Sequence, residues 1–198
     1  MDHAAGVWLA AIDSLDDARI ARYEGWLSAT ERARSFTRPA RRRQFIAARA
    51  LLRIAIGEVL GAAPSEVELG GQSGRAPWLI APAVPMPGLS VSHSGHWVAC
   101  AVSTTTALGL DIEVEDAGRD VGALAEHAFD AETCARLAAL PARERVAAFY
   151  REWSGQEARI KLGAQAGACY ALPHAGLAVE VCSADELSAV PRLAVVSL

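Results

Sequence analysis

From Leu108 to Glu115 the sequence LGLDIEVE alternates without a break: Leu108, Leu110, Ile112 and Val114 are apolar, and Asp111, Glu113 and Glu115 are acidic. A period of two marks a strand with one face in a core and the other outside it. Asp111 and Glu113 then share a face, about 7 Å apart. Carboxylates that close repel each other unless a cation lies between them or water screens them. All-oxygen donors of this kind suit Mg²⁺ or Mn²⁺ rather than zinc. A solvated acidic edge strand accounts for the same pattern without a metal.

The surrounding punctuation limits how this strand can be housed. Gly6 to Asp13 reads as a first strand, and Ser28-Ala-Thr-Glu31 has capping-box spacing and opens a short helix. Pro39 begins a helix running to about Leu60, closed by Gly61. Short strands are expected over 67–80, around the turn Gly70 to Arg75, and Ala81 to Gly88 carries Pro82, Pro85 and Pro87 and reads as a loop. Leu89 to Ser92 and Trp97 to Ser103 form a strand pair joined through His93-Ser94-Gly95-His96. A weaker helical region over 121–140 is broken by Pro141, and Ala142 to Leu162 is a second long helix ending at Gly163. The tail from Gly176 is strand-like. The order strand, helices, strands occurs twice with no repeat in the sequence itself, which predicts an α+β arrangement of two lobes.

The 198 residues suit one domain or two small lobes sharing a core. With 52% apolar and 21% charged residues, the composition is that of a soluble globular protein, and no apolar run approaches the roughly 20 residues of a membrane span. Met1-Asp2-His3 lacks a signal-peptide pattern, so the expected location is cytoplasmic. Cys100, Cys134, Cys169 and Cys182 are far apart with no CxxC, and are expected as free, buried thiols. Charge is segregated. Residues 32–53 hold eight arginines and no acid, whereas residues 111–132 hold eight acids against Arg119. The basic segment is suited to anions and the acidic one to cations. Single-strand nucleic-acid binders interleave such arginines with exposed aromatics, which this segment lacks.

Trp153, Glu157 and Lys161 stand four residues apart and lie along one stripe of the second long helix. Lys161 is the only lysine in the chain. Where arginine serves every other basic position, a lysine points to a need for a compact ammonium. Ser92-His93-Ser94-Gly95 places an imidazole between hydroxyls at a strand end, a setting for a phosphate or ribose or for a satisfied core histidine. There is no G-x-S-x-G, Walker loop or GxGxxG.

Together these stretches resemble the Sfp-type 4′-phosphopantetheinyl transferases, whose hallmarks are a G-(I/V)-D-(I/V)-E strand and a W-(S/C)-x-K-E-(S/A)-x-x-K helix. The chain has Gly109-Leu-Asp-Ile-Glu113 and Trp153-Ser-Gly-Gln-Glu-Ala-Arg-Ile-Lys161, separated by 39 residues. The resemblance covers roughly residues 30–163. It implies an α+β, pseudo-twofold two-lobed fold, with a lobe over 1–104 and another over 105–198. Each lobe would be a small, mostly antiparallel sheet packed with a long helix, and coenzyme A would lie between the two. It implies Mg²⁺-dependent transfer (Mn²⁺ as substitute) of phosphopantetheine from coenzyme A to a serine of an apo carrier protein, by a monomer with no nucleic-acid or membrane partner. Asp111, Glu113 and Glu157 would hold the metal, Glu157 would also serve as base, and Lys161 would meet the pyrophosphate. Ser92 and His93 would meet the 3′-phosphate, with Arg38, Arg42 and Arg43 on the nucleotide. Gly74-Arg75-Ala-Pro77 resembles the family's G-K/R-P turn with one residue inserted, which adds Arg75. The chain departs from the pattern at Gln156, where the family has lysine. A coenzyme A-binding relative with weakened catalysis and a regulatory role is the alternative reading.

Overall fold

A computed structural model describes residues 4–13, 15–72, 75–163 and 165–198. Strand β1 (Gly6–Ala11) is followed by helices α1 (Asp17–Glu24), α2 (Ala29–Arg32) and α3 (Pro39–Leu60). Strands β2 (Glu68–Gly70), β3 (Trp78–Ala81), β4 (Gly88–Ser94), β5 (Trp97–Ser103) and β6 (Leu108–Val114) come next. Helices α4 (Val121–Ala128), α5 (Ala131–Ala138) and α6 (Ala142–Leu162) precede β7 (Ala168–Ala171), β8 (Leu177–Ser183) and β9 (Arg192–Val195). The fold is mixed α+β, and among the described residues no helix is long and apolar enough to cross a membrane.

Local chemistry sets the ends of these helices. Ser28 and Glu31 close the expected capping box around α2. Pro39 occupies the first turn of α3, where its missing N–H costs nothing. Gly61 and Gly163 end the two long helices in the left-handed conformation that favours glycine. Ser73 and Gly74, part of the expected turn before Arg75, lie outside the described residues.

Two sheets carry the core. The first has the order β4-β5-β1-β9, antiparallel except for the parallel β1/β9 pair, so the last strand of the chain returns to the first. The second is antiparallel with the order β6-β8-β7, and β2 and β3 form a separate hairpin. Alternation sorts the side chains. Trp8, Ala10, Val98, Cys100 and Val102 pack with Ile46, Leu51 and Leu52 of α3. On the opposite face of the first sheet, Val7, Leu9, Ala99 and Ala101 meet Leu110, Ile112, Val179 and Val181 of the second. The outer face of the second sheet carries α6: Ala178 joins Phe149 and Tyr150, and Cys182 joins Ala158 and Leu162. The layers therefore run helix, sheet, sheet, helix. Gly109 allows the close approach of α6, because a Cβ there would lie 1.9 Å from the carbonyl oxygen of Ala158.

The expectation of four free thiols is corrected. Cys100 and Cys134 are free, but Cys169 and Cys182 form a disulfide. The register of β7 on β8 sets these residues directly opposite each other, with Cα atoms 4.0 Å apart. Their separation of 13 residues gives no hint of the pairing unless β7 is recognised, and its four residues carry no alternation that would reveal it.

Candidate active site

The site is built on the junction of the two sheets, where β4 and β6 meet along their unpaired edges. Three serines of β4 substitute for backbone pairing. Ser90, Ser92 and Ser94 accept hydrogen bonds through their hydroxyls from the backbone N–H groups of Leu110, Ile112 and Val114, at 2.9, 3.3 and 3.0 Å. The edge donors of β6 are thus satisfied, and the carboxylates of β6 are delivered to the same serines. Ser92 donates to Asp111 Oδ1 at 2.8 Å and Ser94 to Glu113 Oε2 at 2.6 Å.

From α6, Lys161 Nζ reaches across to donate to Asp111 Oδ1 at 2.7 Å and to Ser92 Oγ at 3.0 Å. Asp111 is buried, and its second oxygen, Oδ2, has no hydrogen-bond partner. Burial pushes the Glu113 carboxyl above its usual range, and neighbouring Asp111 adds to the rise, while the bond from Ser94 and the charge of Lys161 oppose it. Trp153 is half-buried against Phe149, stacked at 6.2 Å between ring centroids, which anchors the stripe holding Glu157 and Lys161. Glu157 is half-buried and its carboxylate makes no hydrogen bond or ion pair with the described residues, and Gln156 is exposed.

A cavity of about 750 Å³ opens beside Lys161. Arg34, Arg41, Arg49, Arg75, His93 and Lys161 line it, and no acidic residue among those described does. Arg41 lies 3.4 Å from Nε2 of His93. Burial lowers the His93 pKa, and the charges of Arg41 and Lys161 lower it further, which favours neutral imidazole. The structure redistributes the arginines singled out from the sequence. Arg42 and Arg43 turn away, to Glu24 and Asp17 of α1, and Arg38 is the exposed residue preceding α3. Arg41, the remaining member of the triplet, faces the cavity with Phe45 and Arg49, at helical spacings of four and eight. Ser92 hydrogen-bonds Asp111 and Lys161 and does not line the cavity, whereas His93 does.

Reading the sequence alone missed Glu180. It sits opposite Asp111 in the register of β6 and β8 and is 6% exposed. Burial pushes its carboxyl up to about 7, against the pull of Arg151 and Arg159. Folding thus favours the protonated form: the stabilisation is complete below the ordinary carboxylate range and is lost as pH rises through about 7. Glu180→Gln is expected to match the wild type near pH 4 and to exceed its unfolding free energy at pH 8 by on the order of 2 kcal/mol. Denaturant titrations at the two pH values test this, and parallel pH profiles would contradict it.

Strand, helix and basic cavity together make an arrangement chemically suited to a polyanion. No family model matches the chain. It is 30% identical over 159 residues to the 4′-phosphopantetheinyl transferase HetI of Nostoc sp., covering 78% of this chain and 66% of that protein. It is 33% identical over 124 residues to the 4′-phosphopantetheinyl transferase of Bacillus subtilis, covering 62% and 51%. Against a phosphopantetheinyl transferase of Thraustochytrium sp. the identity is 28% over 158 residues, covering 73% and 55%. The chain belongs to the 4′-phosphopantetheinyl transferase superfamily. The matches span between half and two thirds of the length of these relatives.

Proposed function

We propose that the protein transfers 4′-phosphopantetheine from coenzyme A to a serine of an apo carrier protein, releasing 3′,5′-ADP. The observation that carries this reading is the junction of an arginine-lined cavity, with no acid among its described lining residues, and the ion pair between buried Asp111 and partly exposed Lys161. Phosphoryl transfer needs positioning and charge neutralisation more than covalent chemistry by the protein. In this reading the carrier serine hydroxyl attacks the phosphorus next to the pantetheine. The bond from that phosphorus to the bridging oxygen breaks, and 3′,5′-ADP departs with the electron pair. Glu157, unpaired one turn before Lys161, takes the serine proton, and Lys161 meets the charge growing on the leaving group. The two helix-on-sheet layers serve as the lobes of a pseudo-twofold monomer, divided near residue 104 except that β9 crosses back to the first sheet, with coenzyme A between them.

The residues suit a divalent cation in part. Asp111 Oδ2 is buried and unpartnered, and Glu113 follows it on the same face of β6. Among the described residues no three His, Cys, Asp or Glu side chains already gather as a ligand group, so Glu157 has to approach from α6 to complete one. Asp111, Glu113 and Glu157 would hold Mg²⁺ or Mn²⁺, which when bound would neutralise pyrophosphate charge.

Release of 3′,5′-ADP from coenzyme A, dependent on both an apo carrier and a divalent cation and abolished by a chelator, is the expected result. Tight coenzyme A binding with no release across a panel of apo carriers would favour the non-catalytic regulator instead. The exposed position of Gln156 counts against that alternative, because the missing lysine is not part of the Asp111–Lys161 junction.

A further inference from the structure

Glu31 enters the sequence as a helix cap, yet it is 3% exposed and faces two guanidinium groups. Its Oε2 accepts from Ser28 N at 2.8 Å and from Arg53 Nη2 at 2.5 Å, and its Oε1 lies 3.3 Å from Arg53 Nη1 and 3.4 Å from Arg49 Nε. Arg53 is fully buried and its remaining contacts are structural: Nε donates to Val67 O at 3.1 Å, and Nη1 to Arg49 O at 3.3 Å. One carboxylate therefore balances two cations, and the uncompensated charge falls on Arg49.

Arg49 is held on three sides. Glu31 faces its Nε, the ring of Phe45 lies 5.2 Å from its Cζ, and Gly71 backs Nη2 so closely that a Cβ there would come within 2.8 Å. Its Nη1 is buried without a partner, and the side chain lines the cavity. A buried guanidinium with excess charge and an unused donor needs an anion, and its aim is set by whatever holds the rest of the group. Cation–π contacts of Arg34 with Phe36 and Phe45 complete the same wall.

We propose that Glu31 is a positioning residue for nucleotide binding: through Nε of Arg49 it fixes that guanidinium against the cavity, and Arg53 holds Glu31 in turn. This rests on the reading of the cavity as the nucleotide site of coenzyme A. A residue that served only to stabilise the fold would lower the amount of active protein. A residue that aims Arg49 changes affinity in the protein that remains folded.

The test is a double-mutant cycle read by calorimetric binding of 3′,5′-ADP to the full chain. Glu31→Gln is expected to weaken binding about tenfold or more, the cost of one misdirected charge-assisted hydrogen bond. Arg49→Ala is expected to weaken it at least as much, and the double variant to bind no worse than Arg49→Ala alone. In the transfer assay the KM for coenzyme A should rise while kcat per folded molecule changes by less than the KM. Should Glu31→Gln fail to fold, Glu31→Asp, which keeps the charge but withdraws it by one methylene, enters the same cycle with the same expected pattern. Additive losses in the double variant, or wild-type affinity in both Glu31 variants, would overturn the proposal. If the wild type itself fails to bind 3′,5′-ADP, the nucleotide reading of the cavity falls and takes the proposal with it.

Discussion

Asp111→Ala is expected to abolish transfer, lowering kcat/KM by about a thousandfold or more. The carboxylate is at once the partner of Lys161, the acceptor of Ser92 and the carrier of a buried oxygen free to meet a cation. Alanine removes all three roles and leaves the Lys161 ammonium with Ser92 as its one hydrogen-bond partner among the described residues. Because Lys161 stays partly exposed, water can solvate the orphaned charge, so the fold should survive. Turnover is checked by single-turnover release of 3′,5′-ADP, with thermal melting as the control. Wild-type turnover at ordinary Mg²⁺ would defeat the assignment of Asp111 to the reacting centre.

Lys161→Arg is the second large effect, a fall of about a hundredfold in kcat despite an unchanged charge. Nζ makes short contacts to two oxygens on different strands, 2.7 Å to Asp111 and 3.0 Å to Ser92, through a compact, rotatable ammonium. A planar guanidinium is wider, and its donors point in a fixed fork. Placed between β4 and β6 it would either push the strands apart at the serine contacts or withdraw toward solvent. Measuring kcat and KM for coenzyme A separately distinguishes the two roles of this residue. A loss confined to KM would make Lys161 a binding group only, and full activity would remove the significance of its being the only lysine in the chain.

How much was legible in the sequence depended on whether the signal was local. The two long helices, with proline at one start and glycine at both ends, and the span of β6 are set by neighbouring residues and matched closely, but the acidic face of β6 is covered by α6 over most of its length and does not lie outside the core. Strand β7 and its disulfide were not legible, since four residues without alternation acquire meaning only once paired with β8. In the site, the closeness of Asp111 and Lys161 followed from the motif resemblance, but the role of the serines did not. Sequence places Ser90, Ser92 and Ser94 on one face, yet nothing local says that this face meets the open edge of another sheet. The arginine cluster was legible as a charge and not as a direction. A helical wheel separates Arg41, Phe45 and Arg49 from Arg42 and Arg43, but which side faces the cavity depends on where α1 docks. Arg49 and Arg53 did leave a signal: they interrupt the apolar run from Ile46 to Ile56, and charged residues at core positions of a helix are there to be paired.

The most direct measurement is the intact mass of an apo carrier protein after incubation with the wild-type chain, coenzyme A and Mg²⁺, beside the Asp111→Ala variant. A gain of one phosphopantetheine on the carrier serine with the wild type, absent with the variant, is the result expected. No gain on any carrier tested at saturating coenzyme A and metal, or an equal gain with Asp111→Ala, would contradict a transferase centred on Asp111 and Lys161.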